Sequence, residues 1–167
     1  YQDTLISSAT MNQLRAVNSA VHNRKVDDAS TDLVYSGGWG TVAGANYANG
    51  TGHYSQGAAS QVQYNFSGTG IKWYGVVGGD HGRADVFIDD KLDSTVDLYA
   101  TNWAANTVVY AKRGLTNGPH TLKVVARADK NAASSNYYVQ VDALEALGTG
   151  TSGETKLDDR ASQISYS

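Results

Sequence analysis

Residues 79–91 read Gly79-Asp80-His81-Gly82-Arg83-Ala84-Asp85-Val86-Phe87-Ile88-Asp89-Asp90-Lys91. Ala84, Val86 and Ile88 alternate with Asp85, Phe87 and Asp89, a period of two that gives a strand one apolar face. Asp89-Asp90-Lys91 ends the run with residues that favour turns. The same pattern recurs on both sides. In residues 61–66, Val62, Tyr64 and Phe66 share a face, and residues 71–77 are rich in β-formers. Residues 95–99, 107–111, 121–126 and 137–144 continue the series. Ser67-Gly68-Thr69-Gly70, Gly78-Gly79-Asp80, Thr116-Asn117-Gly118-Pro119 and Asp129-Lys130-Asn131 supply turn signals between them. About eight short strands at this spacing predict an all-β fold, an antiparallel β-sandwich of the jelly-roll type.

Outside this region the patterning changes. Met11, Leu14, Val17 and Val21 fall at helical spacing after Ser7 and Ser8, which can cap a helix. Residues 1–25 are therefore expected to form an N-terminal helical linker, with residues 8–22 available for homo-oligomerisation. Gly148-Thr149-Gly150-Thr151-Ser152-Gly153 has a flexible linker's composition. Beyond it, Lys156-Leu157-Asp158-Asp159 and Tyr166-Ser167 match Lys25-Val26-Asp27-Asp28 and Tyr35-Ser36 at a constant offset, with five identities in twelve aligned positions. This predicts a β-sandwich module over residues 26–147, then a linker and the start of a truncated second repeat in residues 148–167.

Composition narrows the function. The 167 residues carry 13 Lys+Arg against 16 Asp+Glu, a net charge of −3, with no basic block. Nucleic acid and anionic membranes are thus poor partners. There is no Cys, so neither a disulfide framework nor a thiol nucleophile is available. No apolar run reaches the ~20 residues of a membrane span. Residues 1–15 lack the basic start and apolar stretch of a signal peptide. Tyr and Trp make up 14 of 16 aromatic residues, and such amphipathic rings suit half-exposed surfaces.

Several stretches together resemble galactose-binding-like jelly-roll carbohydrate-binding modules. They are Phe66-Ser67-Gly68-Thr69-Gly70-Ile71-Lys72-Trp73, the run 79–91, Asn117-Gly118-Pro119-His120-Thr121-Leu122, and Tyr137-Tyr138-Val139-Gln140-Val141-Asp142-Ala143. Val26-Asp27-Asp28 followed by Tyr35-Ser36-Gly37-Gly38-Trp39 resembles the usual opening. Asp90 departs from the pattern, which has Gly there; Asp tolerates the left-handed conformation the turn needs. The resemblance implies a noncatalytic, sugar-facing role, as in modules appended to secreted bacterial glycoside hydrolases or to phage tail and baseplate proteins. The expected setting is therefore extracellular or exposed on a virion. The expected partners are a polysaccharide or cell-surface glycan and adjacent modules of the same chain.

A sugar site needs a flat ring for C–H stacking and a few polar groups for hydroxyls. Trp103, in the polar loop Asn102-Trp103-Ala104-Ala105-Asn106, is either an exposed platform or a plug over the core. Asp80, His81 and Arg83 combine an acceptor, a titratable ring and a bidentate donor; the alternative is a self-satisfied turn. Trp39, Tyr54, Asn131 and Tyr137 complete the carbohydrate-binding candidates, whereas Trp73 belongs to a strand and the core. Some similar jelly rolls hold calcium where first and last strands meet, which nominates Asp28 and Asp142 as metal ligands. Adjacent Asp27 and Asp28 should point to opposite faces, so one of them can join Asp142. No enzyme is expected: the chain has two Glu, at 145 and 154, and no nucleophile elbow or His-Glu-x-x-His. The rival reading is a structural or assembly spacer that binds no sugar.

Overall fold

A computed structural model describes residues 22–148. The expected N-terminal helix, the linker and the repeat at 156–167 lie outside the described residues, apart from residues 22–25. There Arg24 and Lys25 are extended and open the first strand, so the strand region begins before residue 26.

The described residues form nine strands in order: β1 Arg24–Asp27, β2 Leu33–Ser36, β3 Gly40–Ala43, β4 Thr51–Ser55, β5 Gln61–Val77, β6 Arg83–Ile88, β7 Lys91–Asp97, β8 Ala104–Ala126 and β9 Val139–Leu147. The strand order is β3-β4-β9-β5-β8-β6-β7, with β1 added to β9 and β2 to β5. All these ladders are antiparallel, in agreement with the expected β-sandwich.

Two expected turns are corners instead. Residues 61–66 and 71–77 belong to the single strand β5, and residues 107–111 and 121–126 to the single strand β8. β5 stays paired with β8 across a register shift between Gly68 and Gly70. On its other edge, β5 takes β2 at residues 61–64 and β9 at residues 70–75. One long strand thus serves both layers, and Gly114 at φ 76° lets β8 follow it. The hairpin at Asp89-Asp90 does reverse. Its residues adopt φ 51° and 63°, so Asp90 occupies the left-handed position expected of it.

Alternation builds the core. Val62, Tyr64 and Phe66 from β5 and Ala84, Val86 and Ile88 from β6 are all buried. They meet Leu122 and Val124 of β8 and Val139, Val141 and Leu144 of β9. Each fully buried large apolar side chain contributes about 1.5–3 kcal/mol. Trp73 is fully buried at the centre, and its Nε1 donates to Gln140 O at 3.2 Å. The connections β5–β6, β7–β8 and β8–β9 come together at one end of β6, where the bridges Gly78–Tyr99 and His81–Tyr138 tie them.

Candidate functional site

Gly78 is the pivot of that end. Its N–H donates to Leu98 O at 3.1 Å, and its carbonyl accepts from Ala100 N at 3.1 Å. A Cβ placed on Gly78 would stand 3.0 Å from His81 Nδ1, 3.1 Å from Trp103 Cδ1 and 3.3 Å from Asp80 Oδ1. Three of the nominated residues therefore meet around one glycine. Trp103 is 47% exposed, so its indole stands at the rim and does not plug the core. Tyr47 meets it edge to face, with ring centroids 6.0 Å apart, which holds the indole in place.

Beneath Trp103 lies a chain of directed hydrogen bonds. Tyr47 OH donates to Gln140 Oε1 at 3.0 Å. Gln140 Nε2 donates to His81 Nε2 at 3.1 Å. That leaves the ring proton on His81 Nδ1, which donates to Asp80 Oδ1 at 2.8 Å. His81 is buried, whereas the Asp80 side chain is half exposed. Burial holds the His81 pKa below the usual histidine value, against the pull of Asp80, so the neutral tautomer fits the network. Burial, reinforced by the charges of Asp142 and Asp80, raises Tyr47 and keeps it a donor. His81, nominated as a sugar contact, thus orients Asp80 from below. Asp80 is the solvent-facing acceptor beside the indole.

The other nominees are placed elsewhere. Arg83 begins β6 and turns to Asp97 at 3.3 Å and Asp129 at 3.4 Å, away from the Asp80–His81 pair. Asn131 donates to Asp97 Oδ2 at 3.0 Å and accepts from Ala133 N, bracing its own loop. Trp39 gives its Nε1–H to Ser36 O and Gln61 O at 3.0 and 3.1 Å and packs edge-on to Tyr35, a structural position. Tyr54 covers Gly40, where a Cβ would stand 2.7 Å from its ring, and it contacts Tyr138. Tyr137 is exposed, with Lys130 Nζ 5.5 Å from its ring centroid. Its backbone lies against Gly82.

Asp28 and Asp142 come together, both fully buried, with Asp28 N donating to Asp142 O at 3.1 Å. Asp28 Oδ1 accepts from Thr51 Oγ1 at 2.9 Å, and its Oδ2 is 2.7 Å from His53 Nδ1. Tyr35 stacks on His53 at 4.3 Å. Asp142 Oδ1 accepts from Ala48 N at 2.7 Å. Asp142 Oδ2 and Asp27 Oδ1 are buried without partners. Burial, then the charge of Asp28, raises Asp27. Burial is also the chief cause of the raised Asp142. Asp142 keeps one orphaned carboxylate oxygen and a raised carboxyl beside the charge of Asp28, a demand that a hard cation relieves, so this donor chemistry fits calcium. Among the described residues no three His, Asp or Glu side chains already form a ligand cluster.

Sequence reasoning missed Gln140 and gave Tyr47 no assigned role. The available signal was Gln140 itself, a polar residue inside the apolar run Tyr138-Val139-Gln140-Val141.

Two curated proteins of Flavonifractor plautii are similar in sequence. An A type blood alpha-D-galactosamine galactosaminidase is 34% identical over 128 residues, covering 71% of this chain and 12% of that protein. An A type blood N-acetyl-alpha-D-galactosamine deacetylase is 33% identical over 100 residues, covering 60% of this chain and 13% of that protein. The chain thus spans about an eighth of the length of these relatives. No family model matches it. Among solved structures, a two-domain esterase active on acetylated mannans superposes with a TM-score of 0.57 at 10% identity, over 76% of this chain and 36% of that one. A Paenibacillus xanthan lyase gives 0.53 at 16% identity, over 70% and 12%. An exo-beta-1,3-galactanase of Phanerochaete chrysosporium gives 0.51 at 15% identity, over 74% and 29%. These likenesses establish the fold, a jelly-roll sandwich found within sugar-active proteins, and agree with the resemblance drawn from the sequence.

Proposed function

We propose that this chain is a noncatalytic carbohydrate-binding module that attaches a larger extracellular, sugar-acting protein to a glycan. Trp103 is the stacking platform and Asp80 the hydroxyl acceptor. The observation that carries this reading is the exposed indole of Trp103 standing beside Asp80 across Gly78. A half-exposed Trp offers its face to pyranose C–H groups, and a carboxylate held by a buried imidazole makes strong hydrogen bonds without rearranging. The noncatalytic role is supported by the state of the nearby acids. Asp142 and Asp28 are fully buried, so Asp80 has no exposed carboxylate partner from that pair, and glycoside hydrolysis uses two.

An enzyme as the parent is supported over a virion component, because the relatives named above are sugar-acting proteins many times longer than their matched stretch. Residues 24–147 form the module, and the match of Lys156–Ser167 to residues 25–36 supports an arrangement of tandem copies, in which weak affinity would be raised through avidity. The names of the relatives make galactosamine- and galactose-terminated glycans the first probes. A glycan array carrying these with plant, host and cell-wall glycans tests the reading. Binding lost in Trp103→Ala supports it, and silence across the array sinks it in favour of a spacer. Calcium is proposed at Asp28 and Asp142, where it would neutralise the buried acids and pin β1 to β9.

A further inference from the structure

At the other end of β6 from Trp103, beside the Asp89-Asp90 turn, the sandwich opens into a cavity of about 590 Å³. Its walls include Arg24, Tyr64, Phe66, Asp89, Pro119 and His120. That volume lies within the ~300–1,000 Å³ of ordinary small-ligand sites. Tyr64 is 1% exposed, and its hydroxyl is buried with no hydrogen-bond partner. A buried hydroxyl without a partner is costly and asks for an explanation. We infer that this cavity is a second ligand site, separate from Trp103, that takes the end of a neutral saccharide.

The chemistry of the walls argues for a neutral polyhydroxylated ligand. Arg24 is held by a single bond, Nη2 to Asp32 Oδ2 at 2.6 Å, which leaves guanidinium donors over. Asp89 accepts from Thr121 N at 2.9 Å through Oδ1 and meets His120 Nδ1 at 2.7 Å through Oδ2, so each oxygen keeps a lone pair. Cations and carboxylates alternate: Arg24 faces Asp32, and His120 faces Asp89. The field is balanced, which favours neither an anionic nor a cationic ligand. Apolar wall comes from Phe66, stacked on Tyr64 at 5.9 Å and tilted against His120 at 5.6 Å. Rings on the walls, with donors and acceptors at the edge, match a sugar's C–H faces and hydroxyls.

The test is an NMR titration of the full chain carrying Trp103→Ala, with lactose, cellobiose and maltose as probes in the millimolar range. The expected result is a saturable shift at His120 and Phe66 with at least one probe. Tyr64→Phe, made in the same background, should weaken that binding about fivefold, the worth of one neutral hydrogen bond. Arg24→Gln, an exposed position that does not threaten folding, should weaken it similarly. The inference is overturned if no probe shifts His120 or Phe66, or if both variants leave the shifts unchanged. It is equally overturned if Tyr64→Phe raises the melting temperature while binding stays absent, since the orphaned hydroxyl is then only a cost of burial. The wild-type indole signal of Trp103 reports the first site separately, so failure at one end is not failure at the other.

Discussion

His81 and Trp103 share one gap: a single methyl on Gly78 would press on the imidazole at 3.0 Å and the indole at 3.1 Å. The φ of Gly78 is not in the left-handed region, so space and not backbone strain decides what that position tolerates. Gly78→Ala should therefore push the platform and the Asp80 support apart. Overpacking of this kind costs about 1–3 kcal/mol. Glycan affinity should fall at least about tenfold, about 1.4 kcal/mol, with the fold retained. Isothermal titration and thermal denaturation on the same samples check this, and unchanged affinity would count against Gly78 as the pivot.

Two tryptophans should separate binding from stability. Trp103→Ala should abolish glycan binding while changing stability by less than about 1 kcal/mol, as for other exposed side chains. Trp73 is fully buried, so Trp73→Ala should cost about 3–5 kcal/mol. Urea denaturation followed by circular dichroism, beside affinity electrophoresis, measures both effects.

The imidazoles of His81 and His120 should titrate on opposite sides of the ordinary histidine value of 6.5. His81 is lowered by burial. As pH falls through 6.5, the unfolded chain takes up a proton that the folded ring refuses, so His81 makes the fold less stable in acid. His120 is raised, first by its bond to Thr116 O and then by Asp89, with contacts of 2.7 Å at both nitrogens. Its contribution is fully present below 6.5 and is lost as pH rises through its folded value. Cε1 proton shifts followed from pH 5 to 8 give the two midpoints. Melts of His81→Gln should lose the decline in acid, and melts of His120→Gln the decline toward alkaline pH.

Calcium should raise the melting temperature of chelator-treated protein, by about 2.7 kcal/mol in stability at a hundred times Kd. Asp27 and Asp142 are both raised in the fold, so their cost is fully present above their folded values and relieved as pH falls. The calcium effect should accordingly be largest at neutral pH and shrink in acid. Asp142→Asn should remove most of it. A melting temperature indifferent to calcium at pH 7 would end the proposal.

What could be read in advance follows a physical divide. The β6–β7 hairpin was legible because Ala84, Val86 and Ile88 alternate and Asp89-Asp90 has local turn chemistry. Ser67-Gly68-Thr69-Gly70 has equally good turn chemistry, yet β5 runs through it, because pairing with β8 on both sides overrides the local preference. Trp103 stood out by its polar, small-residue context. Arg83 was joined to Asp80 and His81 by nearness in sequence, but it begins a strand and its side chain goes to Asp97. Gln140 was hidden because one polar residue in a strand looks like an outward-facing one. Its role needs His81 and Tyr47, 59 and 93 residues away.

The pairing of β1 with β9 sets Arg24 opposite Ala146 and Asp27 opposite Ala143. Gly148 N reaches back to Asn23 Oδ1 at 3.2 Å, so the chain enters and leaves the sandwich at neighbouring points. Tension applied across those two points would open the four residue pairs of this ladder in succession, like a zipper, instead of shearing them at once. A grip on glycan that must survive flow would then be limited by this seam as well as by the sugar contacts. A cation bridging Asp28 and Asp142 would sit just beyond its far end, as a stop.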